Sequence, residues 1–152
     1  MGYCLEVTKV TIVSWMLLGV YYTRDVLHSY GKCEDCYCIL CKDVSITPAT
    51  ESLSHMLLQC PALSSIRESY LTKITMMNPN LISISDSTKL MMTTILDPES
   101  GHLPDIVSNG WTNLHDTYKL SRDFVYNLHK KREKLTELKS KVVDILINQS
   151  TT

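Results

Sequence analysis

Residues 38–60 read CILCKDVSITPATESLSHMLLQC: a Cys-x-x-Cys pair, thirteen further residues, then a histidine and a third cysteine with four residues between them. A Cys-x-x-Cys turn offers two thiolates to one ion from a single bend, and zinc takes four soft or borderline ligands in a tetrahedron. Cys38 and Cys41 supply half of such a set and His55 with Cys60 the other half, across a loop of finger-like length. Three thiolates and an imidazole leave no place for water, so the expected zinc site is structural and not catalytic. Cys33 and Cys36 form a second Cys-x-x-Cys immediately upstream. They are alternative metal ligands: they can replace one pair, hold a second ion incompletely or remain free thiols.

A secreted disulfide scaffold is the competing reading of these cysteines. Five of the six fall between residues 33 and 60, which would leave the rest of the chain unstapled, and 152 residues can bury a core without bridges. A content of 44% hydrophobic and 20% charged residues excludes wholesale disorder. The apolar stretch VTIVSWMLLGVYY, residues 10–22, is shorter than the ~20 residues a bilayer span needs. It also lacks a small-x-small cleavage site. The expectation is an intracellular protein, cytoplasmic or nuclear, with no membrane partner.

Hydrophobic periodicity predicts a mainly α fold: a small helical domain with a zinc-stapled knuckle and a long C-terminal helix. Val10, Val13, Leu17, Tyr21 and Leu27 recur at spacings near three and four, and Gly31 makes a natural stop, so residues 1–31 form an N-terminal helix segment. Residues 32–76 are the zinc-knuckle region. Within it Pro48, with Thr47 as N-cap, opens a short helix that Cys60 and Pro61 close, and another runs from Pro61 to about Thr75 with Leu63, Ile66, Tyr70 and Ile74 on one face. Residues 77–113 hold a helix near Ser87–Ile95 and the linker LDPESGHLPDIVSNG, residues 96–110. From 114 to 152 a basic C-terminal helix is expected over Leu114–Ile147. Leu128, Leu135 and Val142 repeat every seven there beside Phe124, Leu138 and Ile145, and Lys131 interrupts the second row.

The CILC pair, followed by ESLSHMLLQCPALSSIRESYL (residues 51–71), resembles the CCHC zinc-binding region at the C-terminal end of non-LTR retrotransposon reverse transcriptases. That family's pattern is Cys-x-x-Cys, a variable loop, Glu-Ser/Thr-x-x-His-x4-Cys-Pro and an arginine. The resemblance makes Cys38, Cys41, His55 and Cys60 the ligands, and Glu51, Pro61 and Arg67 match the accompanying positions. SWMLLGVYYTRDVLHSYG, residues 14–31, is similar to the family's preceding helix, with its arginine at Arg24. LSRDFVYNLHKKRE, residues 120–133, is similar to a basic element after the finger in invertebrate members. The implied parent is an RNA-directed DNA polymerase polyprotein, of which this chain would be a terminal piece beginning at an internal methionine. Its polymerase turn needs an aromatic-x-Asp-Asp motif, and no two aspartates are adjacent here, so the piece is expected to be non-catalytic.

Charge divides unevenly. Up to Tyr118 there are 7 basic and 12 acidic residues, and from Lys119 onward 8 and 4. A cationic tail suits a solvated helix face or an anionic partner. On the second reading Arg67, Lys73, Lys119, Arg122, Lys130, Lys131, Arg132 and Lys134 hold phosphates of RNA or DNA, with Tyr118 and Tyr126 able to stack on an unpaired base. Binding is expected to be weak and salt-sensitive, since the body is acidic. The remainder of a reverse transcriptase is the other expected partner. Glu51, four residues before His55, either stands solvated at a helix start, favoured by the dipole, or accepts the imidazole N–H that a metal leaves free.

Overall fold

The computed structural model describes residues 2–42, 47–77, 79, 88–98 and 114–150, with side chains placed between Glu6 and Val142. The fold is mainly α, as the periodicity predicts: α1 (Gly2–Leu17), α2 (Arg24–Ser29), α3 (Ser64–Met77), α4 (Thr88–Leu96) and α5 (Leu114–Ser150). Among the described residues extended pairing is confined to one bridge, Tyr37 with Thr50. Most of the linker expected at 96–110, and the side chain of Ile145, lie outside the described residues.

The expected N-terminal helix divides in two. Gly19 takes φ +68, the left-handed conformation that favours glycine. Its N–H donates to Met16 O and the N–H of Val20 to Trp15 O, which closes α1 with the paired hydrogen bonds of a Schellman motif. Gly31, at φ +66, ends α2 the same way, with its own N–H on His28 O and that of Lys32 on Leu27 O. The inward face of α1 also differs from expectation. Ile12, Val13 and Met16 are buried, whereas Val10 and Leu17 are about half exposed. A helix apolar nearly all round carries no periodicity that singles out one face.

α5 organises the rest. Thr117, Ser121, Phe124, Val125, Leu128, His129 and Arg132 form its buried stripe, at helical spacings of three and four. Tyr70 of α3 stacks on Phe124 at 4.3 Å between centroids, and its hydroxyl meets Ser121 Oγ at 3.1 Å. Leu63, Tyr70 and Ile74 are buried and Ile66 packs beside them, on the face expected. From α1, Lys9 reaches Asp123 at 2.6 Å. α4 contributes Met91, Thr94, Ile95 and Leu96 to the core. Beyond Leu135 the stripe loses its cover, so Leu138 and Val142 stand exposed. No described helix is long and apolar enough to cross a membrane.

Candidate metal centre

The knuckle is built by backbone pairing. Cys38 N–H donates to Ala49 O and Glu51 N–H to Cys36 O, each at 2.8 Å, which lays the Cys-x-x-Cys turn beside residues 49–51. Lys42 N–H closes that turn on Cys38 O. Helical geometry then starts later than the sequence suggests. Pro48 and Thr47 do not open it; Ser52 Oγ accepts from His55 N–H at 3.1 Å and Ser52 O from Met56 N–H, so Ser52 is the capping residue. His55–Gln59 is a single π-helical turn, in which Cys60 N–H reaches back to His55 O at 2.7 Å. That wider turn swings Cys60 round towards His55.

Four donor atoms thereby converge. One ligand atom from each of Cys38, Cys41, His55 and Cys60 lies within 4.8 Å of the others, and all four residues are buried. Cys38 Sγ is 3.9 Å from Cys60 Sγ, and Cys41 Sγ is 3.4 Å from His55 Nε2. The group has the composition and spacing to hold a metal ion. Its thiols titrate unequally: a hydrogen bond from Cys60 holds Cys38 down at about 4. Burial pushes Cys41 up to about 11, and the hydrogen bond to Cys38 raises Cys60. Crowded thiolates repel, so without a cation one takes the charge while the others keep protons; a cation at the centre removes that conflict.

Cys33 and Cys36 stand outside this cluster. Cys33 Sγ–H donates instead to Asp35 O at 3.2 Å and towards Arg24 O at 3.6 Å.

Arg67, expected on a phosphate, is held within the knuckle. Its Nε–H donates to Leu57 O at 3.1 Å and Nη2–H to Cys60 O at 2.6 Å. The regular helical partner of Leu57 O would be the N–H of residue 61, which is proline and has none. The guanidinium fills that vacancy and fixes the carbonyl of Cys60, a candidate ligand residue.

Glu51 does not serve His55. It precedes the helical turn, and its Oε1 binds Arg132 of α5 at 2.6 Å from Nε and 2.5 Å from Nη2, both side chains being buried. Its Oε2 is buried without a partner, and burial raises the carboxyl above its ordinary range against the pull of Arg132. Arg132 further donates to Tyr22 O and lies over the rings of Tyr21 and Tyr22. It is therefore not available to a phosphate. The signal for this was in the sequence: Arg132 falls four residues after Leu128 and seven after Val125, within the apolar stripe, whereas neighbouring Lys131 is exposed.

A polar network that the sequence pattern does not signal adjoins that pair. Tyr21 hydroxyl meets His129 Nδ1 at 2.9 Å, Tyr22 hydroxyl donates to Glu133 Oε1 at 3.1 Å, and His129 Nε2 is 3.4 Å from the same oxygen. The other expected cations point several ways. Lys119, Lys130, Lys131 and Lys134 are exposed, Lys130 pairing with Glu133 at 3.1 Å, and Arg122 lies over Tyr118. Lys139 reaches back to Ile39 O, inside the Cys-x-x-Cys turn, at 2.5 Å.

Compared with known proteins, the chain matches no family model, no curated protein and no solved structure.

Proposed function

We propose that this chain is a non-catalytic zinc module of the type found at the C-terminal end of non-LTR reverse transcriptases. One observation carries the reading: the four residues that the motif pairs across the sequence bring their donor atoms within 4.8 Å of one another in a buried site. Zinc fits this set. Zn–S bonds of ~2.3 Å at tetrahedral angles place two sulfurs about 3.8 Å apart, and a sulfur and an imidazole nitrogen about 3.5 Å apart. The corresponding separations here are 3.9 and 3.4 Å. Bound zinc would fasten the Cys-x-x-Cys turn to the π-helical turn, with no open position for substrate. Thiol ligands suit a reducing compartment, cytoplasm or nucleus.

Nucleic acid is the partner this reading implies, contacted through Lys119, Lys130, Lys131 and Lys134 on the outer side of α5. A second reading, a structural or protein-interaction module, draws on two features of the same helix. Arg67 and Arg132 are engaged inside the fold, and Asp123, Glu133 and Glu137 lie among the exposed lysines.

Metal analysis of the purified protein tests the first part. About one zinc per chain is expected, retained by Cys33→Ser and lost from Cys38→Ser; zinc lost from the first variant and kept by the second would move the site upstream. Titration of single-stranded RNA over a range of salt separates the partners. A log–log slope of about −0.7 per phosphate contact supports nucleic acid. The absence of binding at low salt leaves the interaction module.

A further inference from the structure

We propose that the outward face of α1 is a self-association surface on which a second copy of this chain packs its own α1 in antiparallel. Lys9, Ile12, Val13 and Met16 turn into the core, and on the opposite side Val7, Val10, Leu17 and Leu18 lie open, with Trp15 at the edge and Val20 just beyond. Leu18 is 74% exposed. A helix that is apolar on both sides is ordinarily covered on both.

Area and charge identify the occupant. The open parts of these six side chains amount to on the order of 500 Å² in each copy, within the range of about 300–600 Å² of a monomer's largest apolar patch, which is often functional. Two such faces bury about 1,000 Å², the threshold of a specific interface. The face carries one charge, at its border: Glu6, which shares Lys9 (2.9 Å) with Asp123 (2.6 Å). Antiparallel pairing sets the two Glu6 carboxylates at opposite ends, so two such faces meet with little repulsion. Among the described residues a strongly charged partner finds little to complement, and an anionic lipid surface finds no basic rim.

Shape supplies the register. Glu6, Val7, Val10 and Thr11 line an open hollow of about 240 Å³ near the start of the face. Leu18 projects from its other end, about 16 Å away along the helix. Antiparallel pairing about a two-fold axis brings the Leu18 of each copy over the hollow of the other, the reciprocal contact that such symmetry requires.

Sedimentation equilibrium of the full chain, reduced and with zinc supplied, tests this. A mass twice the 17.3 kDa of one chain is expected at tens of micromolar. Val10→Glu with Leu18→Glu should weaken association by more than about tenfold while preserving the helical circular dichroism. A second measurement leaves the face untouched: Trp111→Phe makes Trp15 the sole tryptophan, and its emission should move to the blue as concentration rises. A single-chain mass throughout, with Trp15 emission independent of concentration, overturns the proposal. So does a double variant that loses thermal stability where its parent is monomeric, since the face is then covered by the chain's own residues. Flotation of a monomeric parent with phosphatidylcholine vesicles, abolished in the variant, assigns the face to lipid instead.

Discussion

Two stretches of twenty-three residues, 38–60 in the knuckle and 119–141 in α5, carry most of the chemistry of this chain. In the first, four side chains turn to one point. In the second, eight cations turn to several: Arg132 inward to Glu51, Arg122 over Tyr118, Lys130 and Lys141 to glutamates on their own helix, Lys139 back to Ile39 O. Donors brought together by a tight turn and a short return depend little on the rest of the molecule. Side chains on a helix diverge, and what each one meets is decided by whatever packs there. Residue type at close spacing therefore carries function in the knuckle, whereas charge along α5 does not carry it until the neighbours are known.

The contrast breaks most decisively at the ligands. Cys41→Ser or His55→Ala should release the metal and unfold the knuckle, because site formation and folding share one free energy, about 10 kcal/mol or more for structural zinc. Chelation of the parent should do the same, followed by circular dichroism and by proteolysis between residues 38 and 60. A knuckle that keeps its protection without metal would place it with α5, as a region held by packing.

Next in size is Arg132. Removing one partner of a buried pair strands the other, so Arg132→Ala should cost about 3–5 kcal/mol in urea unfolding. Glu51→Leu with Arg132→Met should recover most of that loss. A cost below about 1 kcal/mol for the single variant would class the pair with exposed ones and free Arg132 for a ligand.

A smaller effect is expected at His129. Burial holds its pKa below the ordinary 6.5, with Glu133 opposing. The unfolded chain then takes up a proton that the folded chain refuses, so the stability at stake is complete above pH 6.5 and is lost as pH falls below that value. Urea midpoints at about pH 7.5 and about pH 5.5 should separate further for the parent than for His129→Asn. Equal separations would detach His129 from the acid sensitivity.

The smallest effect concerns the outer face of α5. Lys130→Ala with Lys131→Ala should change stability by less than about 0.5 kcal/mol, since both are exposed and the Lys130–Glu133 pair is screened. Any change in the salt slope of RNA binding then reports contact alone. A large loss of stability would show that these lysines, like Arg132, belong to the fold.

Much of this architecture can be read without coordinates, and the places where reading fails share a cause. Leu63, Tyr70 and Ile74 announce their face because Ser65, Glu68 and Thr72 stand on the opposite side of α3. α1 offers no such contrast, so Val10 and Leu17 are mistaken for its inner face. Both Gly19 and Gly31 qualify as stops, and choosing the later one merges two helices. Glu51 sits one turn before His55 on paper, yet Ser52 starts the helix after it and turns its carboxylate to α5. The four-donor cluster is legible because its parts are local; the partners of Arg132 and His129 are not, because Glu51 and Tyr21 lie 81 and 108 residues away.

That distance also sets an order in time. The Cys38–Cys60 contact spans 22 residues, while Lys9 and Asp123, which join α1 to α5, stand 114 apart. On the ribosome, where about 5–20 residues are added each second, α1 is finished on the order of ten seconds before the part of α5 that covers it. The knuckle can close in the interval, since Cys60, the last of its four candidate ligands, precedes Asp123 by about sixty residues. α1 cannot: α4 reaches it earlier, but Asp123, the partner of Lys9, arrives only with α5. Of the described helices α1 waits longest for α5, and misassembly during synthesis is expected to begin there.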